Sequence, residues 1–355
     1  MDKRSYEFLK NLINSMSPSG FEKEAADVWK DFVSSFADEV RRDLHGNTIA
    51  VVNKGGAPRV MLAGHIDEIG YMVKYIDEDG FIFFAPIGGV DPQIAQGQRV
   101  YIKGKKGKIP GVIGKKPIHL FKLEDREKVV KFEDMFIDIG AKSKEEAEEY
   151  VSVGDPVVNA PGFDELLGDR IVGRGFDDRV GAFVVAEALR LLSEDRPHAE
   201  VYSVATVQEE IGLRGAKTSA FGIDPKVGIA VDVTFAMDTP KLKLQKGIVG
   251  DIRVGGGPVI ARGPNINHRL FELFVETAEE EGIPYQIEGI PRGTGTDANV
   301  IQLTRAGVAA GLISIPNRYM HTPCEVVSRT DLENAARLIA AAVRKIKEDT
   351  DFTPY

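Results

Sequence analysis

Hydrophobic positions near the start of the chain recur at helical spacing. The apolar residues that would form one face of this helix are Phe21, Ala25, Val28, Trp29, Phe32, Val33 and Phe36. The preceding Ser19 and Glu22 have the spacing of a capping box, in which each side chain bonds a free backbone N–H of the first turn. The pattern therefore predicts a helix that begins after Ser19 and packs its apolar face inward.

Farther along, short apolar runs predict two kinds of domain. Asn47–Asn53 and Arg59–Ala63 have the composition of buried strands. Between about residue 70 and residue 161 the segments are short, β-prone and separated by glycine-containing turns, which predicts a small barrel-like β domain. Strands and helices then alternate again, over Ala182–Leu192, Glu200–Val207, Val227–Val233, Leu270–Glu281, Ala309–Ile315 and Asp331–Lys347. We therefore predict an α/β domain that is interrupted by a β domain.

The composition narrows the class of protein. With 355 residues, 43% of them hydrophobic and 28% charged, the chain is long enough for two globular domains. A net charge of −9 argues against nucleic-acid binding, which depends on clustered Lys and Arg. The chain contains no apolar run of membrane-spanning length and a single cysteine, Cys324, and its first six residues lack the apolar core typical of a signal peptide. We expect a cytoplasmic protein that binds neither nucleic acid nor membranes.

Candidate metal ligands lie where buried strands end. His65 and Asp67 follow Arg59–Ala63, and alternate residues of an extended chain share a face, so Asp67 could orient the imidazole. Asp232 lies near the end of the apolar run Val227–Val233, where a carboxylate is unfavourable unless it is paired or binds a cation. For His65 and Asp67 the alternative is a strand-end histidine beside a solvated carboxylate.

Other candidates depend more on their context. Glu209 and Glu210 follow a predicted strand and should point to opposite sides, so that one could ligate a metal while the other faces the bound water. That arrangement differs from a glycosidase pair, whose carboxylates face each other across one bond. Asp177 precedes a helix and could bridge two cations, although Asp177 or Asp178 could equally be an N-cap. His321 could be an ordinary loop histidine.

Taken together, these residues favour a metal site without thiolates. Imidazole and carboxylate ligands suit Zn, Co or Mn. The segment Gly293–Ala298 also matches Gly-x-Gly-x-x-Ala formally, but Pro291 interrupts the preceding segment and the acidic residue lies inside the motif. We therefore expect no dinucleotide site there.

The order and context of these residues resemble the tetrahedral (TET) aminopeptidases, two-metal exopeptidases that include glutamyl and deblocking aminopeptidases. The resemblance extends over most of the chain. The segments that carry it are Ala63–Gly70, Phe176–Arg179, Thr206–Ala216, Val231–Thr234, Gly295–Ala298 and Arg318–His321.

The resemblance implies a three-layer α/β/α catalytic domain, residues 1–69 and 162–355, with an inserted β-barrel dimerisation domain, residues 70–161. It also implies dimers built through the insert, which associate into a tetrahedral dodecamer. Association would cover apolar residues of the insert. We expect Ile82 and Phe84 to be such residues, exposed in the single chain.

The resemblance further implies two divalent metal ions, Zn or Co, in each subunit. The implied ligands are His65, Asp177, Glu210, Asp232 and His321. His65 and Asp232 would hold one ion, Glu210 and His321 would hold the other, and Asp177 would bridge the two.

The implied activity is that of a metal-dependent aminopeptidase acting on peptides, with Glu209 as the general base and Asp67 orienting His65. The segments Gly263–Asn267 and Asp351–Pro354 resemble members that prefer acidic N-terminal residues. Two alternatives stay open: a metal-dependent amidohydrolase or deacylase of a small metabolite, and a non-catalytic assembly subunit of the same fold.

Overall fold

Buried strands form the centre of the structure, a computed structural model that describes residues 1–354. The helices are α1 (Lys3–Asn14), α2 (Lys23–Val33), α3 (Pro92–Ala95), α4 (Lys144–Glu148), α5 (Phe176–Glu194), α6 (Arg214–Ile223), α7 (Lys246–Val249), α8 (His268–Glu280), α9 (Ala298–Ile301) and α10 (Arg329–Lys345). The strands are β1 (Glu39–Arg42), β2 (Thr48–Val52), β3 (Arg59–His65), β4 (Gly70–Ile76), β5 (Ile82–Ile87), β6 (Arg99–Gly104), β7 (Gly107–Lys115), β8 (Met135–Asp138), β9 (Pro156–Asn159), β10 (Phe163–Glu165), β11 (Arg170–Gly173), β12 (Glu200–Thr206), β13 (Val227–Phe235), β14 (Val259–Arg262), β15 (Gln286–Gly289), β16 (Ala309–Asn317) and β17 (Glu325–Ser328).

An eight-stranded sheet in the order β1-β2-β12-β3-β13-β16-β14-β15 organises the larger part of the chain. Its four middle strands are parallel, and β3 and β13 are buried along almost their whole length, as expected when helices cover both faces. Helices α1, α2 and α10 pack on α5, and α6 packs with α9 against other parts of the sheet. The predicted three-layer α/β/α class is confirmed.

One glycine brings α5 close to the sheet. A Cβ on Gly64 of β3 would lie 2.4 Å from the carbonyl carbon of Gly181 in α5. Because that neighbour is backbone, it cannot move aside as a flexible side chain would. The small residue therefore fixes the distance between α5 and the strand that ends at His65.

Between β3 and β10 the chain forms a closed antiparallel barrel in the order β4-β5-β8-β7-β6-β9, as the sequence predicted. Its interior contains Tyr71, Val73 and Ile137. The expectation that Ile82 and Phe84 are exposed is wrong, since they are 0% and 6% accessible. Both side chains point into the barrel, whose core needs the alternating apolar residues of β5.

The predicted capping box is also wrong. Helix α2 begins at Lys23, and its N-cap residue, Glu22, makes no side-chain capping bond. The Ser19 hydroxyl instead donates to the Asp67 carboxylate at 2.6 Å, and the Glu22 carboxylate accepts from the Gly20 and Gln208 amides. Tertiary contacts with the β3–β4 connection take up the side chains that would otherwise cap the helix.

Candidate metal centre

The candidate ligands converge at the carboxyl edge of the central sheet. His65 is the last residue of β3, and Asp232 lies near the end of β13. Glu209 and Glu210 follow β12, and His321 follows β16. Because these four strands run parallel, their ends place all five side chains in the lining of one cleft, with a volume of about 690 Å³.

Asp177 lies between two imidazoles. Its Oδ1 is 3.2 Å from Nε2 of His65, and its Oδ2 is 3.1 Å from Nε2 of His321. The backbone of Asp177 is extended (φ −72°, ψ 108°), so the residue precedes the regular turns of α5, and its peptide bond to Asp178 is cis. One carboxylate thus presents a separate oxygen to each imidazole.

Other carboxylates complete two groups around His65. Among residues 1–354, ligand atoms of His65, Asp177 and Glu210 lie within 4.8 Å of one another, as do those of His65, Asp178 and Asp232. The Asp178 oxygens already accept from the amides of His65 and Gly181, at 3.0 and 3.1 Å. Asp178 therefore caps the regular part of α5 and supports the end of β3. Asp232 accepts at Oδ1 from the amide of Val233, at 2.7 Å, and is the carboxylate of the second group that lines the cleft.

The charges of the centre are unbalanced. Burial raises the pKa values of Glu209, Glu210 and Asp232 above the usual carboxyl range, and neighbouring carboxylates raise them further. Asp177 differs: although burial acts to raise its pKa, hydrogen bonds with His321 and His65 lower it. The same imidazoles act to lower the pKa values of these three groups, but by less than burial raises them.

The residues fit divalent cations. Glu210 Oε1 is 3.4 Å from His321 Nε2 but makes no hydrogen bond within the described residues, although it is buried. A buried carboxylate oxygen without a donor is unfavourable, and a cation would satisfy it. Imidazole nitrogens and carboxylate oxygens without thiolates are the ligands that Zn and Co accept.

Asp67 connects the two halves of the centre. Its carboxylate accepts from the amides of Glu209 and Glu210 at 3.0 and 3.2 Å, and lies 3.5 Å from Nδ1 of His65. The nearer partner of that nitrogen is the carbonyl oxygen of Asp67, at 3.2 Å. Asp67 therefore contacts the imidazole, as predicted from the spacing, and also fixes the backbone that carries both glutamates.

Glu209 lies beside the ligand groups and faces the cleft. Its Oε2 is 3.8 Å from Nε2 of His65, and its side chain is 9% exposed. Glu210, its neighbour, belongs to one of the two groups, whereas Glu209 and the predicted ligand His321 belong to neither. The adjacent carboxylates therefore occupy different places.

Residues 46–338 match the family model described as M42 glutamyl aminopeptidase. The chain belongs to the M42 peptidase family. The sequence-based assignment to the TET metallo-aminopeptidases is confirmed, and the protein is an aminopeptidase, a hydrolase of a metal-dependent family.

Three relatives of this M42 peptidase are similar over nearly their whole length. The lysyl aminopeptidase of Pyrococcus furiosus is 43% identical over 98% of this chain and 99% of its own. A TET aminopeptidase from Thaumarchaeota archaeon SCGC AB-539-E09 is 38% identical, with a TM-score of 0.92 and 97% of both chains covered. The TET1 peptidase of Pyrococcus horikoshii, which can assemble into a tetrahedron or a large octahedral shell, is 32% identical over 96% of this chain and 100% of its own, with a TM-score of 0.86.

Among the described residues of this M42 peptidase, no helix is long and apolar enough to cross a membrane.

Sequence reasoning missed Glu325, which holds two parts of the centre together. Its carboxylate accepts from the amide of Asp177 at 3.1 Å and from that of His321 at 2.8 Å, and the residue is 1% exposed. The sequence contains a signal for Glu325. This residue begins the apolar strand β17, as Asp232 lies near the end of an apolar run. The same reasoning about buried carboxylates would have identified it.

The segment dismissed as a dinucleotide motif also lines the cleft. Asp297, 2% exposed, accepts from the Thr206 hydroxyl at 2.6 Å, and its Oδ1 has no hydrogen-bond partner among the described residues. Its negative charge contributes to the raised pKa of Glu209. The following helix, α9, has only four residues, shorter than the helix of a dinucleotide site.

Proposed function

We propose that this M42 aminopeptidase removes N-terminal residues from peptides with two divalent metal ions, Zn or Co. His65 and Asp232 would hold one ion, Glu210 and His321 the other, and Asp177 would bridge them. The observation that carries the proposal is the position of Asp177, whose two oxygens lie 3.2 and 3.1 Å from the two imidazoles. A carboxylate shared in this way is typical of centres with two metals.

The chain's own residues account for the proton transfers. When bound, the cations supply Lewis-acid activation of the scissile carbonyl and of the attacking water. Glu209 lines the same cleft, with its Oε2 3.8 Å from Nε2 of His65, and as general base it would accept a proton from that water as the new C–O bond forms. It then delivers the proton to the amine that leaves as the C–N bond breaks. Asp67 holds the amide of Glu209 at 3.0 Å and so positions the base.

The choice among hydrolytic activities depends on the substrate's amino terminus. We expect the metal-loaded protein to cleave aminoacyl chromogenic substrates and free peptides at least roughly tenfold faster than their N-acetylated forms, because an aminopeptidase binds a free amine. The measurement is kcat/KM over a panel of both kinds with Zn or Co. Equal or faster cleavage of the acylated forms would contradict the proposal.

The preference for acidic N-terminal residues stays a prediction. The segments that suggested it contact each other, since the Asn267 side chain donates to the carbonyl of Phe352 at 2.8 Å. Neither segment lines the cleft. The family description names a glutamyl activity, and the name of the Pyrococcus furiosus relative gives a lysyl one.

We also propose that residues 1–69 and 162–355 form the catalytic domain and that the insert, residues 70–161, mediates dimer contacts. The closed barrel, between Gly70 and Asn159, supports this division. The exposed apolar side chains of the insert are not those first expected. Four of them, each at least half exposed, lie in one segment: Ile118, Leu120, Leu123 and Val129. Tyr75, Val112 and Val153 are exposed elsewhere in the insert.

We expect a large homo-oligomer in solution. Clustered exposed apolar side chains favour association, and a tetrahedral dodecamer would have twelve times the chain mass of 38.8 kDa. Multi-angle light scattering at micromolar concentration measures this mass directly. A mass equal to that of one chain would contradict the proposal, and a dimer would support only the contacts through the insert.

A further inference from the structure

A turn of the inserted barrel reaches the proposed metal centre. Gly88 and Gly89 follow β5 directly and form a tight turn, in which the amide of Val90 donates to the carbonyl of Gly88 at 3.2 Å. The carbonyl oxygen of Gly89 lies 2.9 Å from Nδ1 of His321. The insert is therefore in contact with a side chain to which the proposed function assigns a metal ion.

The contact with Gly89 determines which nitrogen of His321 is available to a cation. A carbonyl oxygen can only accept, so the neutral ring carries its proton on Nδ1. Nε2 then has a free lone pair, and it lies 3.1 Å from Oδ2 of Asp177 and 3.4 Å from Oε1 of Glu210. A hydrogen-bond partner at the other ring nitrogen fixes the orientation of a histidine that binds a metal. Gly89 therefore holds Nε2 toward the two carboxylates that would share its cation.

The turn also leaves no room for side chains of its own. A Cβ on Gly89 would lie 3.2 Å from Nδ1 and 3.3 Å from Cε1 of His321. A Cβ on Gly88 would lie 3.3 Å from Oε2 of Glu210 and 2.8 Å from Cγ2 of Ile69, and the φ of Gly88 is 75°, which L side chains rarely adopt. Each glycine therefore packs against one proposed ligand of the same ion.

The barrel holds this turn from both ends. Ile87, the last residue of β5, is buried and pairs with Gly70 of β4. Beyond the turn, Asp91 caps α3 by accepting from the amide of Gln93, and Ala95 of α3 is fully buried in the barrel core. The position of the turn is therefore set by the packing of the barrel.

The ligands of the other proposed ion are supported differently. Nδ1 of His65 lies 3.2 Å from the carbonyl oxygen of Asp67, and Asp232 accepts from the amide of Val233 on its own strand. All of these residues lie outside the insert. Within residues 1–354, the hydrogen bonds and the close glycine contacts of the insert reach the ligands of one proposed ion only.

We propose that Gly88 and Gly89 are positioning residues of the catalytic centre, through which the insert sets the affinity for the ion of Glu210 and His321. Neither glycine supplies a ligand atom. This inference rests on the proposed two-metal function and adds to it a part of the site that the catalytic domain does not contain.

The test is a calorimetric titration of the chelator-treated full chain with Co²⁺, with bound metal per chain measured on the same samples. Gly89→Ala should weaken one of the two binding steps by roughly 10- to 100-fold, the usual effect of disturbing the partner of a metal-binding histidine, and leave the other step unchanged. Gly88→Ala should weaken the same step, because its methyl group would meet Glu210. Glu210→Gln and Asp232→Asn, which each remove a ligand of a different ion, identify the two steps.

Two glycines with free surroundings serve as matched controls. Gly97, also in the insert, has the same φ of 75° as Gly88, but a Cβ there would meet nothing within 4 Å. Gly162 lacks a left-handed φ, as Gly89 does, and a Cβ there would also be free. Gly97→Ala and Gly162→Ala should leave both binding steps unchanged. If the strained Gly88→Ala does not fold, Gly89→Ala decides, because Gly89 needs no left-handed backbone.

Three results would overturn the inference: equal weakening of both steps, weakening of neither, or weakening only of the step that Asp232→Asn affects. Failure of the inference can be told apart from failure of the function. A wild-type protein that binds two ions, with unchanged titrations in both turn variants, keeps the two-metal function and removes only the role of the turn. A wild-type protein that binds a single ion refutes the two-metal proposal, and this inference with it.

Discussion

Replacing Glu209 by glutamine should lower kcat by about 10²- to 10⁴-fold, the usual contribution of a general base, while both metal ions stay bound. Glutamine keeps the shape of the side chain and removes the basic oxygen. Glu209 lies outside both ligand groups, and its amide is held by Asp67 through the backbone, which the substitution does not alter. Single-turnover rates, measured alongside metal content by mass spectrometry, test this expectation.

Glu210→Gln is the matched comparison, since the same change is made one residue away. Glu210 belongs to the group with His65 and Asp177, so its loss should lower metal occupancy as well as rate. If Glu209→Gln loses metal and Glu210→Gln does not, the two roles are reversed. If neither change lowers the rate by at least roughly tenfold, below the usual range for a catalytic acid or base, the site is misplaced.

Much of the fold followed from hydrophobic periodicity. Runs such as Val227–Val233 are too uniformly apolar for a surface strand, so they predict buried strands of an α/β domain, and the short segments after Gly70 predict the barrel. The direction in which each barrel residue points did not follow. Ile82 and Phe84 were assigned to the surface, although the alternation along β5 turns them into the core. Side-chain direction in a barrel depends on how its edges close, which the segments do not specify.

The candidate ligands were predicted from polar residues at the ends of strands. The hydrogen bonds that support these ligands were not predicted. His65, Asp232 and Glu210 are visible as polar residues after apolar runs. Ser19 was assigned to a helix cap, because local spacing cannot reveal that its hydroxyl reaches Asp67 from 48 positions away. Glu325 was missed for a similar reason, since its partners are the backbone amides of Asp177 and His321. Backbone donors leave no mark in a sequence.

Removal of divalent metal should abolish activity, because the proposed reaction has no other means of activating the scissile carbonyl. Without cations, the buried carboxylates of Glu210 and Asp232 remain close to like charges, so the empty centre should rebind Zn or Co readily. Asp177→Asn provides the control. It removes the charge that lies between His65 and His321 and should prevent recovery.

The most direct test of the account is a metal titration of the chelator-treated protein, with peptide cleavage and bound metal per chain measured on the same samples. We predict no cleavage in the metal-free protein, and full recovery as occupancy approaches two ions per chain. Cleavage that persists without metal would contradict the central claim, and full recovery at one ion per chain would contradict the second ion.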